Sequence, residues 1–432
     1  MSHRRGLLAI SPFLFFLLFY FVLSLVAGDF YKVPILVAFL LASVYAIVIT
    51  RTGSVKDRVA IFAQGAGTDK VLLIIWIFVL AGAFASTAKG MGCVDATVNV
   101  LLSVTPPRLI LVGLFVASCL ISMATGSAIG TVIPLVPIAV GMGTATDANL
   151  PLLVSAVVGG SFFGDNLSFI SDTTIVATST QRCSMADKFR VNLWIVLPAA
   201  LAVVGLYAWL GSGITASLAP ADIQYVKVIP YAAVLVGAIC GVDVLLVLFI
   251  GILLAGGIGL ATGDYDFYAC LAAVNDGVVG MGEWCIIVLL AGGLMELVKH
   301  NGGLDYLMQF MKSHVHSRRG AQFGMSALVM MVGICTGINT VAILSVGDMA
   351  REVSLHYHID NRKMASLLDT TACFTQGLLP YGAHLLMAAS LSGIASVDLL
   401  PYLYYPYALA VMVVLSILLG YPKAYSKPTQ TV

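Results

Sequence analysis

The sequence predicts an all-α polytopic membrane protein built from two inverted-topology repeats, with broken helices and re-entrant hairpins. Three observations predict it. First, the 432 residues are 60% hydrophobic and 10% charged, with a mean hydropathy of +1.00, whereas soluble domains carry about 25% charged residues. Second, the chain is largely a succession of apolar runs near the bilayer-spanning length of about 20 residues. Third, its second half repeats the first at an almost constant offset.

The apolar segments fall near 7–27, 33–49, 71–88, 108–124, 128–143, 150–164 and 191–210, then near 228–240, 243–262, 284–298, 321–335, 338–347, 364–376, 377–395 and 401–420. The run from Leu7 to Ala27 has a basic start but is longer than a signal-peptide core and lacks a small-residue cleavage site, so it is expected to remain as the first span. A shift of 210 superposes Thr52-Gly53 on Thr262-Gly263, Ala81-Gly82 on Ala291-Gly292, and Lys89 on Lys299. A shift of 211 superposes Thr125-Gly126 on Thr336-Gly337, Ser155 on Ser366 and Phe163 on Phe374. An offset this constant over more than a hundred residues marks a duplication. The division expected is 1–210 for the first repeat, 211–227 for a linker, 228–420 for the second repeat and 421–432 for a tail.

Basic residues give the orientation. Eighteen of the 22 Lys and Arg lie at the N-terminus, in the connections 51–70, 181–190, 299–319 and 348–363, or in the tail. The excess of cations on cytoplasmic connections places these, and both termini, inside a bacterial inner membrane. Equivalent connections carry opposite charge: 51–70 is basic, while 263–283 holds Asp264, Asp266, Asp276 and Glu283 and no cation. The repeats therefore enter the membrane from opposite sides, as in many secondary transporters.

Two kinds of interruption mark the place for chemistry. Thr125-Gly126-Ser127 breaks the first half, and Thr336-Gly337-Ile338-Asn339-Thr340 breaks the second at the equivalent depth. Glycine weakens a helix by about 1 kcal/mol relative to alanine, and unwound backbone at membrane depth is tolerated where it lines a cavity or is covered by protein. The second interruption, 159–174, places Asp165, Asn166, Ser168, Ser171, Asp172, Thr173 and Thr174 within ten residues. Its counterpart holds Asp369, Gln376 and a Pro380-to-Gly382 breaker. A charge at the bilayer centre costs a few kcal/mol on insertion scales, so retained carboxylates there usually line a pathway. Carboxylate, hydroxyl, amide and freed backbone carbonyl are hard donors, suited to hard cations. A carboxylate also takes a proton, and sodium and proton competing for one group is the simplest chemistry of exchange. No Lys or Arg lies centrally in an apolar segment, which favours a cation over an organic anion, although helix N-termini can hold anions too. His384 and Glu296 are further proton-relay candidates.

At this point the run GGSFFGDNLSFISDTT (159–174) resembles the signature of NhaC-type Na+/H+ antiporters. The segments 125–139 and 369–384 are similar to that family as well, so the likeness covers about 80–385. It implies a cation/proton site at Asp165, Ser168, Ser171, Asp172 and Thr173, supported by Thr125, Ser127, Asp369 and Gln376 from the facing segments. The interruptions themselves add Asn166 to the site and Asn339 and Thr340 to its support, with Asp165 and Asp172 expected on Na+. Two positions depart from the pattern: Phe169 stands where a proline is common, and His384 where an amide is expected. Relatives also exchange organic acids and amino acids, so a Na+- or H+-coupled carrier of a small carboxylate or amino acid is the alternative. Expected partners are Na+, H+ and the lipid bilayer, with a homodimer as the candidate assembly, no nucleic acid and no cofactor. The eight cysteines show no metal or redox spacing, and Cys373 reads as a small hydrophobe. There is no HExxH, GxSxG or Walker sequence, which argues against an enzyme and points to an ion gradient as the energy source.

Overall fold

Backbone groups in hydrocarbon must bond internally, and the computed structural model meets that demand with helices; among the described residues there is no strand. It describes 3–27, 33–104, 106–168, 171–214, 224–240, 242–303, 305–306, 309 and 317–425. The first half comprises α1 (His3–Ala27), α2 (Ile35–Ile49), α3 (Val55–Ala66), α4 (Asp69–Gly90), α5 (Cys93–Val104), α6 (Ile110–Thr125), α7 (Ala128–Ala145), α8 (Leu150–Leu167), α9 (Asp172–Gln181) and α10 (Met185–Gly211). The second comprises α11 (Ile229–Ile239), α12 (Val244–Thr262), α13 (Phe267–Gly280), α14 (Gly282–His300), α15 (Arg318–Thr336), α16 (Asn339–His356), α17 (Asn361–Gly377), α18 (Ala383–Ser392) and α19 (Tyr404–Leu418). The proposed 211–227 linker falls largely outside the described residues.

The duplication is visible in the packing. Shifting by about 211 carries α2, α3 and α4 onto α12, α13 and α14, and α6 through α9 onto α15 through α18. Contacts exchange accordingly: α4 packs on α12 and α13, while α14 packs on α2 and α3. Likewise α9 packs on α16 and α18 on α7, and α10 on α17 and α19 on α8. The closest crossings obey the same exchange. A Cβ on Gly82 would lie 2.3 Å from the Gly277 carbonyl oxygen, and one on Gly65 would lie 2.4 Å from that of Gly292. Such backbone-to-backbone approach holds helices together where no hydrophobic force drives them. The exchange relates the two repeats as a two-fold pair.

Gly82→Ala therefore drives a methyl into a carbonyl. It should cost about 1–3 kcal/mol of stability, read as a lowered unfolding midpoint of the detergent-solubilised protein. Gly257→Ala, in α12 with nothing within 4 Å of the new Cβ, should be neutral or better, since alanine is the better helix former.

Among the described residues, six helical stretches are long and apolar enough to cross a membrane, or seven if the pair 383–392 and 396–402, bent by 102°, is one span. Residues 150–181 form one 32-residue stretch broken near its middle. The hairpins α6–α7 and α15–α16 turn at Gly126 (φ 65°) and Gly337 (φ 64°), both left-handed, and pack on α8 and α17 respectively. Three stretches read from hydropathy as plain connections contain helices instead: α3 in 51–70, α5 in 89–108 and α13 in 263–283. Each is too short to cross a bilayer alone and carries polar residues, yet the caps of α3 and α13 were readable. Ser54 and Asp57 form a capping box on α3, and Asp266 accepts from the Ala269 amide at 2.8 Å.

Candidate functional site

The glycines of the 159–174 run place the acidic residue. Cβ atoms on Gly160 and Gly164 would lie 2.4 and 2.5 Å from the carbonyl oxygens of Phe115 and Cys119. α8 thus lies backbone-to-backbone against α6, and Asp165, on the last turns of α8, is 3% exposed. Its Oδ1 accepts from the Ser171 hydroxyl at 2.5 Å, and Ser171 in turn lies 2.9 Å from the Thr173 hydroxyl. Among the described residues its Oδ2 has the Cys373 thiol, at 3.9 Å. A contact that long is weak, and an incoming cation could displace it.

Asp172 opens α9, where a negative charge suits the helix dipole. Its Oδ1 accepts from the Thr173 amide at 2.9 Å, and its Oδ2 accepts from the Thr340 hydroxyl at the tip of the opposite repeat's hairpin. Gln376, the residue equivalent to Asp165, clamps that tip: its Nε2 donates to the Gly337 carbonyl at 2.9 Å and its Oε1 accepts from the Asn339 amide at 3.2 Å. Backbone groups freed by the Gly337 break are satisfied in this way.

Asp165, Asp172, Ser127, Asn339, Thr340 and Gln376 line one cavity of about 360 Å³, between α4 and the four broken helices. The first residues of five helices lie on its wall: Ala128 of α7, Asp172 of α9, Val244 of α12, Asn339 of α16 and Ala383 of α18. Each N-terminus contributes partial positive charge. No Lys or Arg is on the wall. The carboxylates are thus stabilised by peptide dipoles, which cannot leave, rather than by a side-chain cation that would occupy them.

Other expected site residues stand behind the wall. Asn166 and Ser168 are buried. The Asn166 carbonyl, freed where α8 ends, accepts from Lys188 Nζ at 2.9 Å and Asn192 Nδ2 at 2.8 Å, so it is already occupied. Asp369 does not face the cavity; its Oδ2 pairs with Lys188 Nζ at 2.8 Å and accepts from Asn192 Nδ2 at 2.8 Å. The side chain of Thr125 lies outside the described residues. Of the two relay candidates, His384 is on the cavity wall against Phe162, with ring centroids 4.7 Å apart, while Glu296 lies beside Gly65 and is not part of the cavity lining.

Two corrections concern lysines. Lys188 and Lys363 belong to basic connections by sequence, but both are buried, at 1% and 4% exposure. Each sits in the first turn of a helix, α10 and α17, and turns inward to a waiting acceptor rather than outward to water. The interior therefore does contain cations, although not on the cavity wall. Asn192, Cys373 and Asp243 were also missed. Cys373 lies 3.9 Å from Asp165 Oδ2 and 4.0 Å from Asp369 Oδ1, joining the two carboxylates rather than merely filling space. Asp243 caps α12 through the Leu245 amide at 2.9 Å and lines the cavity; the break between 228–240 and 243–262 was its only signal. Among the described residues no group of three or more His, Cys, Asp or Glu is placed to hold a resident metal.

Known proteins resemble this chain throughout. The NhaC Na+/H+ antiporter of Bacillus subtilis is 26% identical over 395 residues, covering 83% of this chain and 84% of its own. The NhaC Na+/H+ antiporter of Alkalihalophilus pseudofirmus is 24% identical, covering 80% and 81%. A malate-2H+/Na+-lactate antiporter of Bacillus subtilis is 22% identical, covering 82% of each. Among solved structures, the YdaH transporter of Alcanivorax borkumensis aligns with a TM-score of 0.40 at 12% identity, covering 86% of this chain and 89% of that one. The model of the Na+/H+ antiporter family matches residues 7–212 and 215–423, and the chain belongs to that family.

Proposed function

We propose that this antiporter exchanges Na+ for H+ by alternating access at Asp165 and Asp172. One observation carries the reading: a buried carboxylate, bonded on one oxygen by a hydroxyl and on the other by a long thiol contact, and a second, hydroxyl-bonded carboxylate share a cavity whose lining holds no Lys or Arg. Ser171, Thr173, Asn339, Thr340 and Gln376 position them. Sodium binds the ionised pair and protons discharge it, so neither is held together with a full complement of the other. Closure needs the bond between Asp172 and Thr340, because it joins the two repeats across the cavity. The excess of cations in the basic connections supports placing these on the cytoplasmic side, so that cytoplasmic sodium leaves as protons enter.

The test uses proteoliposomes loaded with a pH-sensitive dye. Sodium added outside should change the internal pH. While the site is protonated, one pH unit upward should lower the half-saturating sodium concentration by up to about tenfold, the limit for one competing proton. A pH response that appears only when a small carboxylate or amino acid is added would overturn the reading in favour of a coupled organic carrier.

A further inference from the structure

Cations at the base of the second hairpin are unequally served. Arg362 is fully committed: its Nη2 and Nε reach Asp360 at 2.7 and 3.0 Å, and its guanidinium lies 4.6 Å over the Tyr425 ring. Beside it is a separate cavity of about 230 Å³, lined by Arg318, Arg319, Gln322, Lys363 and Tyr425 and with no carboxylate in its lining. Lys363 is 4% exposed, and its ammonium donates to two neutral acceptors, the Ser416 hydroxyl and the Tyr421 carbonyl. Those bonds take two of its three protons, and neither acceptor carries a charge. Arg318 and Arg319 open α15, a 19-residue helix whose N-terminal amides add positive potential. Its cap, Ser317, takes up only the Gly320 amide, at 3.0 Å. Gln322, one turn further, is 7% exposed, and its Oε1 has no partner; turning that amide over presents two donors to the same space.

Of the three cations around this cavity Lys363 is buried, Arg318 half-buried and Arg319 exposed; together with a helix N-terminus and an unpartnered buried amide they give the cavity a positive potential that an anion would complete. Planar guanidinium groups match phosphate oxygens two at a time, and basic pockets between helices at the cytoplasmic face are suited to lipid head groups. We infer that this cavity binds a phosphate-type anion, supplied by the phosphodiester of an anionic lipid or by free phosphate. The placement gives it leverage. α15 runs from Arg318 to the Gly337 turn, beyond which Asn339 and Thr340 line the cation cavity. An occupant would clip the base of this hairpin to α17 and α19, both of which α15 packs against.

The full-length protein in a zwitterionic detergent is titrated with short-chain phosphatidylglycerol, with phosphatidylcholine of the same chain length, and with inorganic phosphate. The unfolding midpoint is the readout, so the outcome does not depend on which ions are transported. A saturable rise with phosphatidylglycerol or phosphate, absent with phosphatidylcholine, is expected. The double variant Arg318→Gln/Arg319→Gln should weaken it by about tenfold or more. Arg51→Gln/Lys56→Gln, which removes two exposed cations away from the cavity, should leave it unchanged. A response to phosphatidylglycerol alone identifies a lipid site, and one to phosphate as well a soluble-anion site. No saturable response, or equal weakening in both double variants, would overturn the proposal.

Discussion

Asp165→Asn should abolish sodium-driven proton movement while leaving the protein as stable as the parent, or more so. The asparagine has the same shape, and its carbonyl can still accept from Ser171, so the local bonds survive. What disappears is a charge that neither proton nor sodium can replace. Burying an ionised group without a full counter-charge is costly, so its removal relieves the fold even as it empties the site of function. At 3% exposure, the field around Asp165 is poorly screened by water. Loss of its contact with a bound cation is therefore worth on the order of 3 kcal/mol, about a hundredfold in sodium affinity. Asp172 is exposed to the cavity and better solvated, so Asp172→Asn should weaken sodium about tenfold at most and leave residual exchange. Vesicle dye assays run beside thermal unfolding decide the matter. Unimpaired exchange in Asp165→Asn would remove this carboxylate from the mechanism; exchange lost together with the fold would make it a structural residue.

The parts of this arrangement that were legible in the sequence were those written in spacing. The offset near 211 foretold that α6 through α9 would recur as α15 through α18. The Gly126 and Gly337 breaks foretold the two hairpin turns, since a left-handed residue ending one helix leaves glycine as the easy choice. Of the Asp165-to-Thr173 cluster, Asp165 and Asp172 reach the cavity lining, and the others do not. What spacing could not reveal was the direction in which a side chain turns. Lys188 lies among loop residues by charge counting, and a long lysine stem at a helix start can reach either water or the interior. Only the fold brings Asp369, 181 positions away, to meet it. Asp369 was accordingly grouped with the cavity residues, whereas its charge is spent on an ion pair. The same limit hid Cys373, whose apolar neighbours in sequence conceal the two carboxylates beside it in space.

That ion pair yields the second large effect. Lys188 Nζ makes three bonds at once: to Asp369 Oδ2, to the Asn166 carbonyl at the frayed end of α8, and to the Thr174 hydroxyl at 2.6 Å on α9. One ammonium thus ties together both sides of the break that presents Asp165 and Asp172, and fastens them to the opposite repeat through α17. Lys188→Met keeps the stem but strands a fully buried carboxylate, with the Asn192 amide and the distant Cys373 thiol as its remaining donors, and leaves the Asn166 carbonyl with Asn192. Breaking one side of a buried pair costs about 3–5 kcal/mol, so the variant should lose much of its folded population on extraction into detergent. Adding Asp369→Asn should restore a large part of the midpoint, because the stranded charge is removed along with its partner. The restoring term is the interaction energy of the double-mutant cycle, expected to exceed about 1 kcal/mol for groups in direct contact. Strict additivity of the two losses would instead mean that Lys188 acts through Asn166 and Thr174 alone. In the rescued double variant, exchange that returns with the fold would assign the pair to architecture. A folded double variant without exchange would mean that the charge of Lys188, transmitted through Asp369 and Cys373, is needed at Asp165 itself.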